Sequence, residues 1–114
     1  MNLEDLQKKI IAFRDARDWK QFHTPKDLAT GLCLEAGEVA EHFLWKDEKE
    51  LAEYLKTNKE EIGDEMGDVL NYLLIMANDF GIDLLDATDK KIDKNAQKYP
   101  VEKAKGRHTK YTEL

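Results

Sequence analysis

The chain has 114 residues, enough for one domain with a modest core. Apolar residues make up 41% and charged residues 37%, which suits amphipathic helices with solvated outer faces better than a two-layer sheet. The net charge is −6, and residues 100–114 are basic overall, so the acidic excess lies in the body of the chain. Such a body argues against wrapping a nucleic-acid duplex, and a phosphate ligand would need a bound divalent cation to reverse the local sign.

Cys33 is the sole cysteine, which excludes an intrachain disulfide. It lies in an apolar stretch and is expected to be a small core residue. There is no signal-like apolar run at the start and no apolar run long enough to span a bilayer. A soluble, cytoplasmic protein without a membrane partner is the expectation.

Four helices are predicted. The first covers about Leu3 to Asp18, because Leu3, Leu6, Ile10 and Phe13 recur at helical spacing behind Asn2 as N-cap. Trp19 to His23 breaks the pattern. Thr24-Pro25 then signals a start, Thr as cap and Pro at the first helical position. The second helix runs to about Trp45 on a stripe of Leu28, Leu32, Ala36, Val39 and Phe43. Lys46 to Thr57 is a charged connection with one helical turn around Leu51, Tyr54 and Leu55. Asn58 and Glu61 have the spacing of a capping box, opening a third helix to Phe80. Its stripe is Ile62, Met66, Val69, Leu73, Ala77 and Phe80, and Gly81 is placed to cap its end. Asp83 opens the fourth helix, to about Lys98, with Leu84, Leu85, Thr88, Ile92 and Ala96 facing inward. Pro100 stops it, and about 100–114 is expected to be an extended polar tail of a single domain spanning residues 1–114.

Two carboxylate pairs stand beside the stripes: Glu35 with Glu38, and Glu65 with Asp68. Residues three apart share a helix face. Helices that pack roughly 8–10 Å apart would let all four converge on one or two cations. Like charges beside a core are unfavourable unless protonated or bound to metal. Oxygen-only ligation selects Mg²⁺ or Mn²⁺. A di-iron site wants Glu-x-x-His pairs, and neither His23 nor His42 has a Glu three residues before it. Spacing alone leaves open a solvated acidic face, since Glu60, Glu61 and Asp64 show how easily acids cluster in this chain.

Trp19 and Trp45 are the only tryptophans, and each sits at a helix boundary. An indole there can seal the end of a bundle or stack on a nucleobase, the latter worth roughly 1–3 kcal/mol. His23 follows Trp19 by four, and Tyr72 follows Asp68 by four on the metal face. Asn95 offers both a donor and an acceptor. Lys46, Lys91, Lys94 and Lys98 are candidates for phosphate oxygens or plain solvated lysines.

The acidic pairs and their flanks, "LCLEAGEVAEHFLWK" and "EEIGDEMGDVLNYLL", resemble the all-α nucleoside triphosphate pyrophosphohydrolases of the MazG-like superfamily. "RDWKQFHTPKDLA", "KIDKNAQKYP" and the terminal "KYTEL" extend the resemblance to its dCTP pyrophosphatase branch, over nearly the whole chain. The resemblance implies a MazG-like four-helix bundle, assembled as a homodimer or as a homotetramer of two dimers. It implies Mg²⁺ on Glu35, Glu38, Glu65 and Asp68, and hydrolysis of a (d)NTP to monophosphate and pyrophosphate in nucleotide-pool sanitation. A metal-activated water needs a proton acceptor. Glu38 is the first candidate and Glu41 the second. Around the nucleotide the resemblance places Trp19, His23, Trp45, Lys46, Tyr72, Lys91 and Asn95. Ala96 and Gln97 depart from it, standing where relatives are more basic. A broad-specificity (d)NTP pyrophosphatase is the rival within the enzyme class. A helical interaction protein with a degenerate acidic site is the rival outside it.

Overall fold

A computed structural model describes residues 1–114 and is helical throughout, with no strand. The helices are α1 (Leu3–Ala16), α2 (Pro25–Glu41), α3 (Glu48–Thr57), α4 (Lys59–Phe80), α5 (Leu84–Lys98) and α6 (Val101–Ala104), with 3₁₀ turns at Lys20–Phe22 and Tyr111–Glu113. The chain divides into two compact units, Met1–Gly81 and Ile82–Leu114.

In the first unit α2 and α1 each pack against α4. Leu28 of α2 and Ile62, Leu74, Ile75 and Ala77 of α4 form the buried apolar core. Burying a leucine side chain stabilises by roughly 1.5–3 kcal/mol. Gln7 Nε2 donates to the Leu74 carbonyl at 3.0 Å, tying α1 to α4.

The helix starts follow the expected chemistry. Asn2 accepts from the Asp5 amide at 2.8 Å, and Thr24 from the Asp27 amide at 3.2 Å with Pro25 behind it. Asp83 accepts from the Asp86 amide at 3.0 Å. Gly81 ends α4 at φ 68°, a left-handed conformation that glycine adopts without a Cβ penalty.

Several expectations change. Helix α1 stops at Ala16, because Asp18 takes φ 54° and turns the chain out of the helix. Helix α2 stops at Glu41, and residues 42–45 form turns that end with Trp45 at φ 64°. The charged connection holds a complete helix, α3, capped by Asp47 on the Glu50 amide at 2.8 Å. Asn58 makes no capping box; its side-chain amide donates back to the Tyr54 carbonyl at 3.2 Å. Cys33 is exposed, outside the core. On α4, Ile62 and Ala77 of the expected stripe are buried, but Met66 and Phe80 are exposed, and Leu74 and Ile75 beside the stripe complete the core.

In the second unit α5 buries none of its residues, and Leu85 and Ile92 face solvent. Residues 101–114 are not simply extended. They hold α6 and the terminal 3₁₀ turn, whose Tyr111 ring meets Tyr99 edge-on at 5.9 Å with Lys98 Nζ 4.7 Å above it.

Candidate active site

Glu35 and Glu38 lie on successive turns of α2, and Glu65 lies across the helix contact on α4. One carboxylate oxygen from each falls within 4.8 Å of the other two. Burial raises the Glu35 carboxyl above its ordinary range, and the charges of Glu38 and Asp68 push the same way. Glu65 is pushed up to about 7, first by hydrogen bonding with Glu38, then by partial desolvation and the charges of Glu38, Asp68 and Glu35. Like charges this close cannot all ionise without compensation, and they titrate as a unit. Glu35 Oε2 is buried and has no hydrogen-bond partner. An unsatisfied buried carboxylate oxygen inside a cluster of hard-oxygen donors is what a bound cation would resolve.

The close packing around this cluster depends on Gly31, one turn before Glu35. A Cβ there would stand 2.7 Å from Tyr72 Cζ and 2.8 Å from the Tyr72 hydroxyl oxygen. With no side chain at 31, the Tyr72 ring lies directly on α2.

Beside Tyr72 opens a cavity of 440 Å³ between α1, the Trp19–His23 segment and α4. Leu6, Ile10, Phe13 and Trp19 form its apolar wall, and His23, Asp68, Asn71 and Tyr72 its polar one. Trp19 meets Phe13 edge-on at 5.7 Å, and the Arg17 guanidinium covers the Phe13 ring at 3.7 Å. His23 Nδ1 is buried without a partner. The arrangement is an apolar slot with a few polar groups, opening beside a carboxylate cluster. That combination suits a flat heteroaromatic ring joined to an anionic group that would meet the carboxylates through a bound cation.

The structure thus brings Glu35, Glu38 and Glu65 together and sets Asp68, Trp19, His23 and Tyr72 along the neighbouring cavity. Glu41 is exposed at the last residue of α2, outside the cluster. Trp45 is 91% exposed and lines no part of the cavity. Lys46 rests its Nζ 4.3 Å over the Tyr54 ring. Lys91 and Asn95 belong to the second unit, where they share a shallow hollow with Ala87, Thr88 and Ile92.

Two cavity residues escape sequence reasoning. Asn71 follows Asp68 by three, so the helical spacing that marked Tyr72 marks it equally. Arg14 follows Ile10 by four on the α1 stripe and is only 2% exposed. Its Nη1 donates to both Asp79 oxygens at 2.8 Å, and its Nε to Asp15 at 3.1 Å. Burial alone would raise Asp79, but the hydrogen bonds from Arg14 and Asn78 and the Arg14 charge hold it below the usual carboxylate range. A charge on an apolar stripe is a signal for a distant partner, but nothing in the pattern names Asp79.

The family model described as MazG-like matches residues 31–114. The chain is 40% identical to dCTP pyrophosphatase 1 of Mus musculus, over 98% of this chain and 67% of that protein. It is 39% identical to dCTP pyrophosphatase 1 of Homo sapiens over the same shares. The crystal structure of a pyrophosphatase from Archaeoglobus fulgidus superposes with a TM-score of 0.81 at 38% identity, covering 86% of this chain and 92% of that one.

Proposed function

The chain belongs to the MazG-like family, and from that premise we propose that it is a metal-dependent pyrophosphohydrolase that converts a (d)NTP to the monophosphate and pyrophosphate, with dCTP or a modified cytosine nucleotide preferred. The relatives named as dCTP pyrophosphatases support the substrate. The observation that carries the reading is the convergence of three carboxylates from two helices beside an aromatic-walled cavity.

Glu35, Glu38 and Glu65, with Asp68 as the fourth, would hold the cation. Their all-oxygen donor set favours Mg²⁺, with Mn²⁺ as the alternative. When bound, the cation offsets the triphosphate charge and makes water a better acid. Glu38 accepts the proton of the attacking water, since it sits within the cluster; Glu41, beyond it, is the reserve candidate. Trp19 and Tyr72 bracket the base and sugar, and His23 offers its unpartnered ring nitrogen. The family resemblance alone assigns Trp45, Lys46, Lys91 and Asn95 to the nucleotide: Trp45 and Lys46 line no part of the cavity, and Lys91 and Asn95 belong to the second unit. The acidic charge favours free nucleotides over a nucleic-acid polymer. The enzyme works in the cytoplasm on the nucleotide pool, as a homodimer or homotetramer; none of its helices is long and apolar enough to cross a membrane.

A panel of dNTPs assayed for pyrophosphate with and without Mg²⁺ tests the reading. Release of pyrophosphate from dCTP ahead of the other nucleotides, and only with the metal, is expected. Equal rates on all bases would remove the cytosine preference, and no release from any would overturn the activity. Glu38→Gln should abolish turnover while nucleotide binding persists.

A further inference from the structure

Trp45 combines two unfavourable features. Its backbone is left-handed, φ 64°, a conformation that a non-glycine residue keeps only where its surroundings impose it. Its indole is almost wholly exposed. What imposes the conformation is visible on α3. The Tyr54 hydroxyl shares a 2.5 Å hydrogen bond with His42 Nδ1, and the two rings lie 5.7 Å apart. The other side of the turn returns to the same ring, where Lys46 Nζ stands 4.3 Å above it. One side chain therefore holds both flanks of the turn that carries Trp45, from His42 to Lys46. The Phe43 amide donates to the Ala40 carbonyl at 3.0 Å, tying the turn to the end of α2, and within the turn the Lys46 amide donates to the Phe43 carbonyl at 3.4 Å.

We infer that Tyr54 is a positioning residue: with His42 and Lys46 it forms a clamp that fixes the backbone of the turn at Trp45, and so the place from which the exposed indole is offered to the nucleobase. The substrate half of this inference rests on the proposed nucleotide-binding role of Trp45. The clamp itself rests on the geometry alone. It assigns α3 a task. A flexible linker would join α2 to α4 equally well, but only a helix with a fixed Tyr54 can reach back to two residues four apart in the preceding turn. The anchoring also removes an ordering cost from substrate binding, because a turn held before the base arrives loses less freedom when the base stacks on its indole.

The test uses the full-length protein carrying Trp19→Phe, so that Trp45 is the only tryptophan. Tyr54→Phe removes the hydroxyl and keeps the ring beneath Lys46. Tyr54→Leu removes both contacts. Trp45 fluorescence anisotropy should fall in Tyr54→Phe and further in Tyr54→Leu while helix content stays constant. In the wild-type background Tyr54→Phe should raise KM for dCTP by about three- to tenfold, the loss of one hydrogen bond from the binding pose, with kcat within about twofold. Unchanged anisotropy in both variants would overturn the clamp. A drop in anisotropy with unchanged KM would overturn the substrate half. Trp45→Ala then locates the fault: an unchanged KM there means that Trp45 does not read the base, whereas a raised KM means that Tyr54 does not govern how it does so.

Discussion

At Gly31 the absence of a single carbon decides how closely two helices meet. A methyl at that position would press into the Tyr72 ring, whose hydroxyl oxygen it would approach to 2.8 Å. The ring belongs to a side chain packed between helices, so relief requires moving α2 or swinging Tyr72 out. Gly31→Ala should destabilise the protein by about 1–3 kcal/mol despite the better helix propensity of alanine, as overpacking does. It should also raise KM for the nucleotide, because Tyr72 lines the cavity. Thermal melts beside kinetics check both; unchanged values would show that the ring has room to move. Arg14 gives the opposite case, a contact that must not be lost. Its guanidinium is buried on Asp79, and Asp79→Ala would leave that charge with only the half-exposed Asp15, costing about 1–3 kcal/mol. The pH sign follows from the depressed Asp79 carboxyl. Its folded value lies below the ordinary 3.8, so its stabilisation is complete above 3.8 and is lost as pH falls through the lower folded value. The stability gap between wild type and Asp79→Asn should close in acid and stay constant at neutral pH.

At the scale of the helices, the carboxylate cluster joins α2 to α4 and opposes their contact when no cation is present. Glu35 and Glu65 carry raised folded values, Glu65 about 7 against an ordinary 4.5. A carboxyl raised by folding stabilises fully below 4.5 and stops doing so as pH rises through its folded value. The metal-free protein should therefore lose thermal stability between about pH 4.5 and pH 7, and Mg²⁺ should restore it most at the upper end. Calorimetry with and without chelator would show this; a flat profile would mean that the cluster does not couple the helices. Both acidic pairs, and the starts of α1, α2 and α5, were legible in the sequence because capping and helical spacing are local. Asn2, Thr24 and Asp83 cap through amides three residues on. What was illegible depended on long-range partners or on departures from regularity. The left-handed Asp18 and Trp45 cut two helices short without a glycine to mark them. Helix α3 hid behind its charge, since only Leu51 and Tyr54 turn toward other residues. Cys33 sits among apolar neighbours yet on an outward face of α2. For the site, the cluster and the Trp19, His23 and Tyr72 cavity followed from spacing and resemblance, whereas the Arg14–Asp79 pair spans 65 residues that no local pattern connects.

For the whole molecule, the apolar surface is distributed as though more of the chain were covered than one copy covers. Helix α5 has a clear apolar side in Leu84, Leu85 and Ile92, yet none of these is buried and Ile92 is 62% exposed. In the first unit Leu34, Leu44 and Met66 are exposed as well. Isolated exposed apolar residues are ordinary, but a helix with an apolar side that buries none of its residues is more than that. Chains of this size bury a limited fraction of their surface alone, so association between copies is the direct way to cover it. The expected outcome is a species two or four times the 13.2 kDa of the chain in sedimentation or light scattering. Ile92→Asp should shift that mass downward, because a carboxylate placed in a dry contact must be desolvated without a partner. If self-association is what completes the fold, the same variant should lower the melting temperature and make it depend on protein concentration. A wild-type mass of 13.2 kDa across micromolar concentrations would overturn the assembly, and it would leave the bare face of α5 to be covered by something other than a second copy.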